Sequence, residues 1–189
     1  MHIQLVLLLG TAVASVMGAS VQVPRSDGYK PTDLGDGLFT ASFGDDGLVN
    51  VTRINDIEPE DTPEVSPAGL ARRAIPITRF GCYSASRNHG DWERARSQFK
   101  NLCNQRVKIP GNGILYAVSG KQVAFGCSWG GSNGCSGREF DDFLDYINRK
   151  CGGWKGGWVD MDRWAKQYGM QQRGEAICGK GNRVQWPKL

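Results

Sequence analysis

Apolar residues between Gly137 and Cys151 recur with a helical period. Phe140, Phe143, Leu144 and Ile147, with Cys151 one turn further on, fall at i, i+3, i+4, i+7 and i+11. That spacing gathers them on one face and turns Asp142, Asp145 and Arg149 away from it. Ser136 and Glu139 form an S-x-x-E capping box ahead of the run, and Gly152-Gly153 ends it, because glycine tolerates the left-handed conformation of a helix stop. The stretch Cys127 to Cys151 thus reads as a glycine-rich turn feeding a helix with cysteine at both ends. A second helix is predicted from Asp91, its expected cap, with Trp92, Ala95, Phe99, Leu102 and Cys103 inward.

Other segments follow a shorter period. Ile75 to Cys82 predicts a strand, and the runs 114–118 (ILYAV) and 121–125 (KQVAF) predict a hairpin about Ser119-Gly120. Asp160 to Tyr168 predicts a short helix with Met161, Trp164, Ala165 and Tyr168 inward and Gly169 as its stop. Residues 174–178 (GEAIC) and 182–186 (NRVQW) predict final strands. This order implies an α+β fold: an antiparallel sheet with two main helices packed on one face, an α/β sandwich stabilised by disulfides.

Composition divides the chain of 189 residues into three parts. Residues 1–19 have an apolar run, Ile3 to Leu9, of signal-peptide length, followed by small residues; cleavage is expected after Gly18 or Ala19, with Ala14 also compatible. Residues 20–73 hold five basic and ten acidic side chains, a net charge of −5, without cysteine or tryptophan. Their proline- and acid-rich end, IEPEDTPEVSPAG, cannot bury enough apolar surface to offset chain entropy. An acidic pro-segment is therefore expected, disordered and removed after Arg73, with Arg72-Arg73 read by a processing protease of the secretory pathway. Asn50 opens a glycosylation sequon within it. Residues 74–189 carry 18 basic and nine acidic side chains, net +9, and all the cysteines: Cys82, Cys103, Cys127, Cys135, Cys151 and Cys178. An even count in an exported chain implies a disulfide framework whose pairing the spacing leaves open. Cys103 and Cys151 are expected to tie their helices to the sheet or to neighbouring loops.

Candidate chemistry is sparse. No C-x-x-C pair accompanies His89, so no metal or other cofactor is expected, and a single histidine beyond the signal excludes a two-histidine ribonuclease. Glu139 is absorbed by its capping box, and no pair of carboxylates is nominated for glycosidase chemistry. No catalytic residue is assigned, no specific nucleic-acid motif appears, and no segment after the signal is apolar enough to span a membrane. The candidate binding surface is Trp154, Lys155 and Trp158 in GGWKGGW, with Trp129 in the preceding glycine turn. Tryptophans held on glycine can stack on sugars or sit at a lipid interface; alternatively they fold back over the end of the core helix.

The run from Gly81-Cys82 through a helix and a hairpin ending in Phe125-Gly126-Cys127, then Cys135-Ser136-Gly137-Arg138-Glu139 opening a helix that closes at Cys151-Gly152, resembles the killer toxin-like small secreted proteins of fungi. The resemblance to this group, which includes the smut killer toxin of type four, covers the middle of residues 74–189. It implies an α/β sandwich and a toxin or effector that binds a host or competitor target, with virulence, cell death or growth inhibition as the outcome. The partner would be a surface protein, a glycan or a membrane component. The namesake has more cysteines, and channel blocking transfers to no residue here. A small secreted hydrolase acting on glycan or RNA and a cationic antimicrobial protein are the alternatives.

Overall fold

A computed structural model describes residues 19–22, 29–31, 34–44, 48–54, 74–83 and 88–178. Its elements are β1 (Ala19–Gln22), β2 (Gly37–Phe43), β3 (Leu48–Arg53), β4 (Arg79–Cys82), α1 (His89–Asn104), β5 (Lys108–Ile109), β6 (Gly113–Ser119), β7 (Gln122–Ser128), β8 (Asn133–Gly134), α2 (Gly137–Cys151), β9 (Gly157–Met161) and β10 (Lys166–Gln172). Eight strands form one antiparallel sheet in the order β1-β3-β2-β6-β7-β10-β9-β4, while β5 and β8 pair separately. The fold is α+β and disulfide-stabilised.

Alternation along the central strands divides the interior in two, since successive side chains leave a strand on opposite faces. On one face Leu115, Ala117, Ala124, Val159, Met161, Tyr168 and Met170 meet the buried stripes of α1 (Trp92, Ala95, Phe99, Leu102, Cys103) and α2 (Phe140, Phe143, Leu144, Ile147). On the other, Ile114, Tyr116, Val118, Val123, Phe125 and Cys127 pack with Tyr29, Phe39, Ala41, Val49, Val51, Ile177 and Cys178. Disulfides reach both. Cys82–Cys151 joins the edge strand β4 to the end of α2, Cys103–Cys135 joins α1 to the loop before α2, and Cys127–Cys178 fastens β7 to the segment after β10.

Several expectations are corrected. Asp160 to Tyr168 is not a helix: β9 and β10 pair from Lys166↔Met161 to Met170↔Gly157, joined by the 3₁₀ turn Asp162–Trp164. The helical spacing of Met161, Trp164, Ala165 and Tyr168 loses to alternation, and Gly169 marks a close approach rather than a stop, because Phe125 lies across it where a Cβ would stand. Only Arg79–Cys82 of the predicted strand at 75–82 pairs. The α1 cap is Asn88, whose Oδ1 accepts from the Asp91 amide at 2.9 Å. Freed of that role, Asp91 accepts from the Lys121 amide at 3.0 Å and pairs with Arg94 at 2.5 Å. Gly120-Lys121, not Ser119-Gly120, turns the β6–β7 hairpin.

The largest correction is in the acidic segment. Disorder does not hold for residues 34–44 and 48–54: β2 lies on β6, β3 lies on β2, and Phe39, Ala41, Val49 and Val51 are buried. Phe39/Ala41/Phe43 and Val49/Val51 alternate as half-buried strands do, and that signal outweighs the overall acidity. Arg72, Arg73 and the predicted strand at 182–186 lie outside the described residues, as do residues 1–18.

Candidate binding surface

The segment after α2 turns back on the helices. Gly152 leaves the helix at φ 89°, and Trp154 and Gly156 also take positive φ, 62° and 67°. A left-handed conformation costs a bulky L-residue about 1–2 kcal/mol, so Trp154 holds it only with compensating contacts. Those contacts are aromatic. Its indole stacks on His89, the first residue of α1, with ring centroids 3.9 Å apart and planes 20° apart, and meets the edge of buried Trp92 at 6.1 Å.

The two rings wall a cleft of about 290 Å³ between α1 and α2, lined also by Glu93, Arg96, Leu144, Asp145 and Asn148. Trp92 and Arg96 lie four residues apart on α1, and Leu144 and Asn148 four apart on α2, so each pair faces the groove. Arg96 is held at the rim by Glu93 at 3.4 Å and by Asp141 at 3.3 Å, and Lys100 reaches the same Asp141 at 2.6 Å. Half-buried Trp154 thus presents an apolar wall next to acceptors and a positioned guanidinium. Such a combination fits a sugar ring, which has an apolar face and hydroxyl edges.

The other candidates are not gathered here. Lys155 is exposed beside Gly152, in the same loop. Trp158 pairs in register with Gly169 and Gly81 and lies over Gly81, on the sheet face away from the helices. Trp129 packs against the second core and donates its backbone N–H to the Ala165 carbonyl at 3.1 Å. Asn50 is exposed on β3. His89, Trp92, Arg96 and Asn148 were not legible as binding residues, although the i, i+4 spacing of Trp92/Arg96 and Leu144/Asn148 was there to be read.

Two polar clusters could be mistaken for reaction centres. Ser136 caps α2 by accepting from the Glu139 amide at 3.4 Å, but the Glu139 carboxylate does not close the box. It accepts from Lys166 at 2.6 Å and from the Tyr168 hydroxyl at 3.0 Å, while the Ser136 amide donates to that hydroxyl at 3.3 Å. Burial, then the Glu139 charge, pushes the Tyr168 phenol well above its ordinary value. With the Lys166 side chain only 5% exposed, the cluster fastens α2 to β10. Asp160, wholly buried, accepts from Gln167 at 2.7 Å and from Arg79 at 2.5 Å. Burial raises its carboxyl above the ordinary value, against the lowering by Gln167 and Arg79.

Among known proteins, no family model matches the chain, and no curated protein sequence matches it. The tandem DUF26 ectodomain of the Arabidopsis thaliana cysteine-rich receptor-like protein PDLP8 is similar at 14% identity and a TM-score of 0.37. The match covers 68% of this chain and 53% of that one.

Proposed function

We propose that the chain is exported, processed after Arg73, and acts as an effector or toxin-like protein that binds a host or competitor surface through the Trp154 shelf. The observation that carries the reading is the strained Trp154, stacked on His89 at the mouth of the α1–α2 cleft. Three disulfides and the signal-like residues 1–19 support export. The fitting ligand is a glycan, with one sugar ring against Trp154 and its hydroxyls on Arg96, Asp145 and Asn148. The hydrolase alternative has no observation of this kind behind it, since Glu139 and Asp160 are engaged in structural pairs.

Trp154→Ala should abolish binding to target cells and to immobilised glycans, together with any growth inhibition or cell death. It should lower the melting temperature only modestly, because the lost stacking is worth about 0.5–1.5 kcal/mol and alanine keeps the Cβ that makes the left-handed backbone costly. Undiminished cell and glycan binding by a folded Trp154→Ala protein would sink the proposal.

A further inference from the structure

Tyr29, Phe39, Ala41, Val49 and Val51 build one side of the second core, yet no cysteine precedes Cys82. β2 is in register with β6 from Gly37↔Val118 to Ser42↔Gly113. Phe39 stacks on Tyr116 with centroids 5.3 Å apart, and the hydroxyls of Tyr29 and Tyr116 meet in a buried hydrogen bond of 2.7 Å. Tyr29 and Ile177 exchange backbone hydrogen bonds of 3.1 and 2.8 Å. At the β6–β7 turn, the Asp36 carboxylate accepts from the Gly120 amide at 3.0 Å and lies 3.6 Å from Arg173. All these contacts join residues before Arg73 to residues after it, and all three disulfides lie on the far side of that bond.

We propose that cleavage after Arg73 produces a two-chain protein: the acidic segment stays on the sheet as a non-covalent subunit instead of leaving as a propeptide. The cut adds water across the Arg73–Ala74 amide, giving a carboxylate on Arg73 and an ammonium on Ala74, and needs only a dibasic-specific protease. Ala74 is exposed and lines a cleft with Asp142, Asp145 and Arg149, so the new ammonium emerges at a cleft with two carboxylates and one guanidinium, while buried Ile75 anchors the chain behind it. Departure of the segment would bare Tyr116, Val118 and the hydrogen-bonding edge of β6, a surface prone to pair with other strands. Retention also governs charge. Residues 1–19 have no Lys, Arg, Asp or Glu, so the two-chain form keeps the net +4 of the whole chain, and the +9 of residues 74–189 is never presented alone. Any glycan on Asn50 stays with the protein.

This inference rests on the processing reading, and the experiment separates the two. In the exported full chain, Arg72-Arg73 is replaced by the recognition sequence of a specific protease and cut to completion, so the result does not depend on whether the natural site is used. Denaturing mass spectrometry should show two chains, and native mass spectrometry at about 1 μM should show one particle containing both. Elution of the segment alone, whether residues 74–189 stay folded or aggregate, would overturn the inference. Phe39→Ala in the cut protein should speed release about a hundredfold or more. Asp36→Asn, which leaves the apolar contacts intact, should speed it by less than about tenfold. Release unchanged by both substitutions would place the attachment elsewhere and refute the assignment.

Discussion

The two faces of the sheet are closed by different means. One is covered by α1 and α2, whose ends are tied by Cys82–Cys151 and Cys103–Cys135, so its cover is local in sequence and covalently fastened. The other is closed by residues drawn from both ends of the described chain, Tyr29 to Val51 and Ile177-Cys178, with Cys127–Cys178 its single bridge. The difference shows which cover can be exchanged. A helix locked by two disulfides leaves only by global unfolding, whereas a hairpin held by hydrogen bonds and apolar contact can in principle be separated once the chain is cut.

The sharpest way to break this comparison is to truncate one buried ring on each face. Phe140→Ala and Phe39→Ala should each cost about 3–5 kcal/mol in the uncut chain, measured by chemical denaturation, because both rings are fully buried. A cost for Phe39→Ala below about 1 kcal/mol would demote the second face to a loose cover and remove its equivalence with the first.

A smaller effect tests the packing within the second face. Gly169→Ala places a methyl group into the Phe125 ring and should cost about 1–3 kcal/mol through overpacking. A parent-like melting curve would mean that the sheet can shift there without strain.

The smallest expected effect concerns pH. Asp160 titrates higher when folded than when unfolded, so the folded state holds its proton more tightly. Its titration therefore favours folding below the ordinary aspartate value, and that contribution is lost as pH rises through the raised one. The stability of the parent minus that of Asp160→Asn should accordingly fall as pH rises from about 4 toward neutrality. A difference that grows over this range would show that the pairs with Arg79 and Gln167 outweigh burial.

Legibility followed the same division. Both helices could be read, down to the buried stripe of each, because five inward residues at helical spacing leave little choice of face. The β9–β10 hairpin is ambiguous in sequence because Met161, Trp164, Ala165 and Tyr168 satisfy a helical period while Val159/Met161 and Tyr168/Met170 satisfy a strand period. Neighbouring β7, with Phe125 resting on Gly169, decides between them. The β2–β3 pair was hidden by the acidity of the segment around it, although its alternation was visible. Of the site, the glycine-rich setting points to Trp154 and Lys155 but equally to Trp129 and Trp158; packing on the second core takes Trp129 to the other side, and strand register takes Trp158 there.

The sequence alone determined the two amphipathic helices and the central hairpin, since each depends on neighbours a few residues apart. Tertiary structure alone decided the cysteine pairing, the strand identity of residues 157–172, the place of the acidic segment in the sheet and the joining of His89 to Trp154. Each of these depends on contacts between residues far apart in the chain, where the gain from burial and pairing overrides local preference.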